Sequence, residues 1–309
     1  MRLGLLLLLG CSPGSEGGSN APKAGVDEPG DTGTPDSAPP TDTGDSAHTG
    51  PVDSGDSAPP DSGDTAEPEP ESCLDRLFAA NGFSTVPDYL GTGATFNADC
   101  TGTNHQEIAE IERVVFLGDS VTVGSPPNTV EEFYRSELTN WLVARYGLIA
   151  PEYLWFWYDV FAGTGYMMNS GDFAVCAKWG ARTDTDKERF PGKFYVVFAN
   201  VYEFTDGFGD VDACPGADLA GYHYDLGSPI IQDLLASIQQ EYLQIAADTQ
   251  TDMIFLGEAF CGHGYNRDDT TGRCYRDPTA ELWFDESCFH PNNTGHGEIA
   301  TLFSRTIEQ

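Results

Sequence analysis

"RVVFLGDSVTVG", Arg113 to Gly124, decides how the chain is read, because four apolar residues run without a break into Gly118-Asp119-Ser120. A short, β-branched-rich run of this kind is the pattern of a strand covered on both faces. A serine just past such a strand is held rigidly at a sheet edge, where the nucleophiles of α/β hydrolytic enzymes sit. The tripeptide alone carries little, since it recurs at Gly44-Asp45-Ser46 and Gly55-Asp56-Ser57 inside a segment too polar to fold. Only the third copy ends a candidate strand, and that context makes Ser120 a candidate nucleophile.

Working outward, the 309 residues, with a formal net charge of -34, divide into three parts. Residues 1–11, "MRLGLLLLLGC", combine one basic residue, a leucine run and a small residue before cysteine, and read as an export leader too short to span a bilayer. Leu8-Leu9-Gly10-Cys11 resembles the bacterial lipobox, which implies cleavage before the cysteine and lipid modification of its thiol. Cys11 is therefore the expected lipidation site, and the expected location is the cell envelope, anchored in the membrane at the outer membrane or cell surface.

Residues 12–72 are Gly, Ser, Thr, Pro, Ala and acid, in loose repeats such as "DTGDSA" and "DSGDSAPP", with no Phe, Tyr or Trp. Such a segment buries too little apolar surface to offset chain entropy, and an acidic disordered tether is expected. Residues 73–309 hold all the tryptophans and seven of the eight cysteines, in a length that suits one domain. Acids far outnumber bases there, and lysine occurs only at Lys178, Lys187 and Lys193, so the charge argues against a nucleic-acid partner.

An odd number of cysteines in an exported domain implies disulfides with one thiol left over. Cys261 and Cys274 flank a polar loop that a bridge would close, Cys73 with Cys100 would staple the start of the domain, and Cys176 with Cys214 would leave Cys288 over. No Cys-x-x-Cys or Cys-x-x-His spacing supports a metal site.

Strand patterns recur at "DFAVCA" (172–177), "KFYVVFA" (193–199) and "DMIFLG" (252–257). Helical patterns lie between and after them. Thr129 with Glu132 forms a capping-box pattern ahead of Val130, Phe133, Tyr134, Leu138, Trp141, Leu142 and Arg145. Ile231, Leu234, Leu235, Ile238, Tyr242 and Ile245 mark a long amphipathic helix, and Ile299, Leu302, Phe303 and Ile307 a final one. This alternation predicts an α/β domain with a central parallel sheet, helices on both sides and a ligand site beyond the strands' carboxyl ends.

A hydroxyl nucleophile needs a base. In "SCFHPNNTGH" (287–296), Pro291 forces His290 into extended or turning backbone, whereas His296 falls in the first turn of the last helix, where a structural role is expected. Asn293 or Thr294 is a candidate cap for that helix. "FLGDSVTVG" and "FHPNNTGHGEIA" together resemble the SGNH, or GDSL, hydrolases, whose serine lies in Gly-Asp-Ser and whose histidine lies in a C-terminal His-Pro-Asn. "KWGART" resembles the family's glycine block and "VVFANVYE" its asparagine block, so four blocks occur in the family's order across Ile111 to Gln309. The resemblance implies a three-layer α/β/α, flavodoxin-like fold, Ser120 and His290 as nucleophile and base, and oxyanion donors at Ser120 N–H, Gly180 N–H and the Asn200 side chain. Each fixed donor is worth ~3 kcal/mol at the developing charge. No cofactor or metal is required.

Two features depart from the family. In the asparagine block, usually Gly-x-Asn-Asp, Ala199 stands in place of a nearby glycine and Val201 follows Asn200. The acid usually three residues before the histidine is replaced by Ser287, with Asp285 two residues further back. Either Asp285 orients His290, or the pair is a dyad whose ring is held by a backbone carbonyl. The expected function is a lipid-anchored serine esterase acting on an acylated glycan, a short-chain ester or a lipid. A non-catalytic binding module and an acyltransferase using the same residues are the rivals. "YLWFWYDVF" (153–161) is expected to be core rather than a substrate platform, and Asp206, Asp210 and Asp212 a solvated loop rather than a calcium site.

Overall fold

A computed structural model describes residues 3–8, 88–156, 168–177, 193–221, 223 and 225–309. Cys11, the tether of residues 12–72, Cys73 and Gly180 lie outside the described residues. The strands are β1 (Leu3–Leu8), β2 (Arg113–Leu117), β3 (Met168–Ser170), β4 (Phe173–Val175), β5 (Lys193–Ala199) and β6 (Asp252–Ile254). The helices are α1 (Ser120–Val123), α2 (Tyr134–Tyr146), α3 (Tyr153–Phe156), α4 (Pro215–Ala220), α5 (Ser228–Thr249), α6 (Leu256–Phe260) and α7 (Asn293–Glu308).

One six-stranded sheet runs in the order β3-β4-β2-β1-β5-β6. It is mixed rather than wholly parallel: β3 pairs antiparallel with β4, and the other pairs are parallel. The exception is a hairpin turned by Gly171-Asp172, in which Gly171 has φ +56° and an added Cβ would meet the Ile149 carbonyl oxygen at 2.3 Å. Only glycine suits both demands. A second departure is β1. The leucine run expected to be an export leader pairs with β2 on one side and β5 on the other, Leu8 lying opposite both Leu117 and Phe198.

Alternate residues of a strand point to opposite faces, and the core follows that rule. Val114 and Phe116 of β2 share a cluster with Tyr134, Leu138 and Leu142 of α2 and with Ile299, Leu302 and Phe303 of α7. On the other face, Phe198 of β5 and Met253 of β6 cluster with Leu243 and Ala246 of α5. Burying side chains of this size contributes about 1.5–3 kcal/mol each, so these contacts fix the register of β2 and the site at its end.

The α2 pattern begins later than expected. Thr129 N–H does reach the Glu132 carboxylate, at 2.7 Å, but this closes a separate turn, and the helix starts at Tyr134 with Phe133 as its cap residue. In α5 the buried side consists of Gln232, Leu235, Ala236, Gln239, Leu243 and Ala246, while Leu234 and Ile245 are 48% and 44% exposed. The buried face is thus rotated from the predicted apolar stripe: Ala246 packs in the cluster with Phe198 and Met253, and Gln232 satisfies its amide on the Ser228 hydroxyl. The final helix buries its four predicted apolar residues. Among the described residues no helix is long and apolar enough to cross a membrane.

Cys261 bonds to Cys274, as the loop between them suggested. The second pairing differs: Cys214 bonds to Cys288 and not to Cys176. The chain brings α4 against the loop before α7, which sequence spacing does not reveal. Cys100 is also disulfide-bonded. Of the aromatic run of residues 153–161, Trp155 is buried against Phe116 and Phe173 and Tyr153 is exposed, while residues 157–161 lie outside the described residues.

Candidate active site

β2 ends at Leu117, and Gly118-Asp119 carries the chain straight into α1, which begins at Ser120. Asp119 caps this short helix by accepting the Val121 N–H at 2.9 Å. Gly124 ends it. With φ +88° it donates its N–H to the Ser120 carbonyl at 2.8 Å, and a Cβ there would run into the Phe133 ring at 2.4 Å. The Gly-Asp-Ser-Val-Thr-Val-Gly run is therefore a turn, a cap, one helical turn and an obligatory stop.

His290 comes from a different element. Phe284 and Pro291 pair as an antiparallel bridge, Asp285 N–H donates to the His290 carbonyl at 2.9 Å, and Cys288 N–H closes a turn on the Asp285 carbonyl at 3.1 Å. Residues 284–291 thus form a tight hairpin that sets Asp285, Ser287 and His290 on one small loop. Three ties hold it. Cys288, at φ +74°, is bonded to Cys214, the Tyr265 hydroxyl donates to the Asp285 carbonyl at 2.7 Å, and the Tyr202 hydroxyl donates to the Phe289 carbonyl at 2.7 Å. Burial, then the nearby charges of Asp119 and Asp285, pushes the Tyr202 hydroxyl well above its ordinary range, so it stays a donor. Asn128 adds a bond from its side chain to the Pro291 carbonyl at 2.9 Å, joining the segment after α1 to the hairpin.

The hairpin delivers His290 to Ser120. Nε2 lies 2.8 Å from the Ser120 hydroxyl oxygen, and Nδ1 lies 2.8 Å from the Ser287 hydroxyl oxygen. Ser287 in turn donates both its hydroxyl, at 2.5 Å, and its N–H, at 2.8 Å, to one oxygen of Asp285. Asp285 therefore belongs to the chain of groups behind His290, at one remove, and the ring nitrogen faces a side-chain hydroxyl rather than a backbone carbonyl. Burial pushes the His290 imidazole below its ordinary value, opposed by the charge of Asp285. At neutral pH this favours the uncharged ring that a general base requires.

Asn200 directly follows β5, one percent exposed, with its amide fixed at both ends. Its oxygen accepts the Gly257 N–H at 2.7 Å and its nitrogen donates to Glu258 at 2.6 Å, which uses one of the two amide protons. Glu258 also accepts the Tyr89 hydroxyl. Burial pushes Glu258 above the usual carboxylate range, while the Asn200 and Tyr89 hydrogen bonds pull it back. β1 stands between the strands that lead to Ser120 and to Asn200, so these two residues do not end adjacent strands.

His296 is structural. It is 1% exposed, stacked on Tyr134, and its Nδ1 accepts the Tyr134 N–H at 3.3 Å; burial pushes it down to about 3. Asn292, not Asn293 or Thr294, caps α7, accepting the Gly295 N–H at 3.0 Å. The three loop aspartates are scattered. Asp206 is buried rather than solvated, accepts the N–H groups of Gly262, Gly264 and Asn266, and is pushed up to about 7 by burial. Asp210 caps a single 3-10 turn and Asp212 meets His223. Among the described residues no group of His, Cys, Asp and Glu is arranged to hold a metal ion.

The contact of Ser287 with His290, Glu258 and the two tyrosines that hold the hairpin are what the sequence reading missed. Glu258 had a visible signal, a carboxylate just beyond the carboxyl end of a strand. The tyrosines had none, because their targets are backbone carbonyls. Comparison of the chain with protein-family models, with curated proteins and with solved structures found no match in any of the three.

Proposed function

We propose that the chain is a serine ester hydrolase of the SGNH type, carried on the cell envelope by a lipid at Cys11. The observation that carries this reading is the 2.8 Å contact between Ser120 Oγ and His290 Nε2, made between a helix start and a hairpin 170 residues apart in sequence. A neutral imidazole there takes the hydroxyl proton as Oγ attacks an ester carbonyl, then returns it to the leaving alkoxide. Water, activated by the same nitrogen, releases the acid from acyl-Ser120. The oxyanion donors proposed are Ser120 N–H, Gly180 N–H and the remaining amide proton of Asn200, in a three-layer arrangement of the family's kind.

The lipid-anchor proposal bears on the site. Cleavage before Cys11 removes β1, leaving β2 and β5 about two strand spacings, or ~10 Å, apart and free to pair directly. Because Leu117 and Phe198 share Leu8 as partner, direct pairing at that level sets Asn200 beside Asp119, next to Ser120. A binding module that has lost turnover is the reading favoured if Asn200 stays committed to Glu258 with β1 in place.

Screening p-nitrophenyl esters of graded chain length tests the proposal. The expected result is hydrolysis with a preference for one chain length. Its kcat/KM should rise with pH as His290 loses its proton, with a midpoint below the ordinary histidine value of 6.5 because burial lowers it. No hydrolysis of any ester by the processed protein, or a rate that falls as the pH rises through 5 to 7, would refute it.

A further inference from the structure

We infer that Ser287 is a positioning residue that carries the influence of Asp285 to His290 through its own hydroxyl, in the place where the resembled family has an acid. The inference rests on the esterase reading above and names how its base is held. A serine hydroxyl has one proton and two lone pairs. Here the proton is committed to Asp285, since a carboxylate oxygen can only accept from it, at 2.5 Å. What Ser287 turns toward His290 is therefore a lone pair, and a bond over the 2.8 Å to Nδ1 requires the proton to sit on Nδ1. Nε2 is then left bare toward Ser120, which is the tautomer a base needs.

Direct contact between Asp285 and the ring is disfavoured by the same hairpin. One Asp285 oxygen holds both the Ser287 N–H and the Ser287 O–H, and both bonds would break if the carboxylate swung toward Nδ1. Asp285 is itself 6% exposed, so its charge is poorly screened, and its pull on the imidazolium is felt across one hydroxyl. Ser287 also accepts the His290 N–H at 3.3 Å, which ties ring and backbone of the histidine to one oxygen. When Ser120 loses its proton, Nε2 gains it, Nδ1–H stays donated to Ser287, and Ser287 keeps its proton on the Asp285 side.

A double-mutant cycle with an independent spectroscopic readout tests this. Ser287→Ala and Asp285→Asn are each expected to lower kcat by ~10- to 100-fold with KM little changed, and the double variant should be no worse than the more damaging single one. Ser287→Thr, which keeps the hydroxyl, should restore most of the rate. In nitrogen-15 NMR of the resting protein, His290 should hold its proton on Nδ1, and Ser287→Ala should shift it to a mixture of tautomers. Multiplying effects in the double variant, or a His290 tautomer indifferent to Ser287→Ala, would overturn the relay. Because the NMR arm needs no turnover, a protein that hydrolyses no ester would sink the esterase reading while the tautomer result still decides this one.

Discussion

Ser120→Ala and His290→Ala are each expected to reduce ester hydrolysis by about ten-thousand-fold or more, with circular dichroism and melting unchanged. The two groups act as a unit: without Oγ nothing forms the acyl intermediate, and without Nε2 the hydroxyl keeps its proton and remains a poor nucleophile. The double variant should therefore be about as slow as either single one. Neither substitution should unfold the chain. The bond described for the Ser120 hydroxyl goes to His290, and α1 is capped by Asp119 instead. The His290 hairpin is closed by backbone pairs, two tyrosines and a disulfide that remain when the ring is gone. Wild-type turnover by the serine variant would show that the 2.8 Å contact has no part in catalysis.

Arg135→Met should lower folding stability by about 3–5 kcal/mol, because three carbonyls lose a charged donor and each buried acceptor left unsatisfied costs about 1–3 kcal/mol. Arg135 lies in the first turn of α2 and is fully buried. Its guanidinium donates to the carbonyls of Thr122, Trp155 and Phe156 at 3.0, 3.2 and 3.1 Å, and it lies 4.5 Å above the Trp155 ring. Thr122 belongs to α1, so this one side chain ties the helix that begins with Ser120 to the aromatic segment beside it. Methionine fills most of the volume but leaves three carbonyls without their donor. Lysine should recover only part, because a single ammonium cannot match the planar fork that spans three acceptors. Urea unfolding is the measurement, and a loss under about 1 kcal/mol would mean the carbonyls find other donors.

Ser120 and His290 were legible because each sits where local chemistry leaves few options. A serine two residues past the glycine that follows a buried strand and a histidine locked by the following proline are both backbone statements, and backbone statements survive folding. The acid was legible only as a gap. Sequence shows Ser287 where a carboxylate is usual, but the hairpin turn that folds Asp285 behind its hydroxyl depends on Cys288 in a left-handed conformation and on a disulfide partner 74 residues away. The α5 stripe was misread for a related reason. Counting apolar residues favours Leu234 and Ile245, whereas the buried face also takes in the small Ala236 and Ala246 and the polar Gln232 and Gln239. The leucine run of β1 shows the limit most plainly. An unbroken apolar hexapeptide is equally an export leader and a strand flanked on both sides, and periodicity cannot separate the two.

Labelling with a fluorophosphonate, followed by peptide mass spectrometry of the processed protein, tests the central claim most directly, since it reports an activated hydroxyl without requiring the natural substrate. The expected result is a single phosphonylated residue, Ser120, whose labelling is abolished in His290→Ala and slowed at acidic pH as His290 gains a proton. Absence of any adduct on Ser120 under conditions that label a known serine esterase, or equal labelling with and without His290, would contradict it.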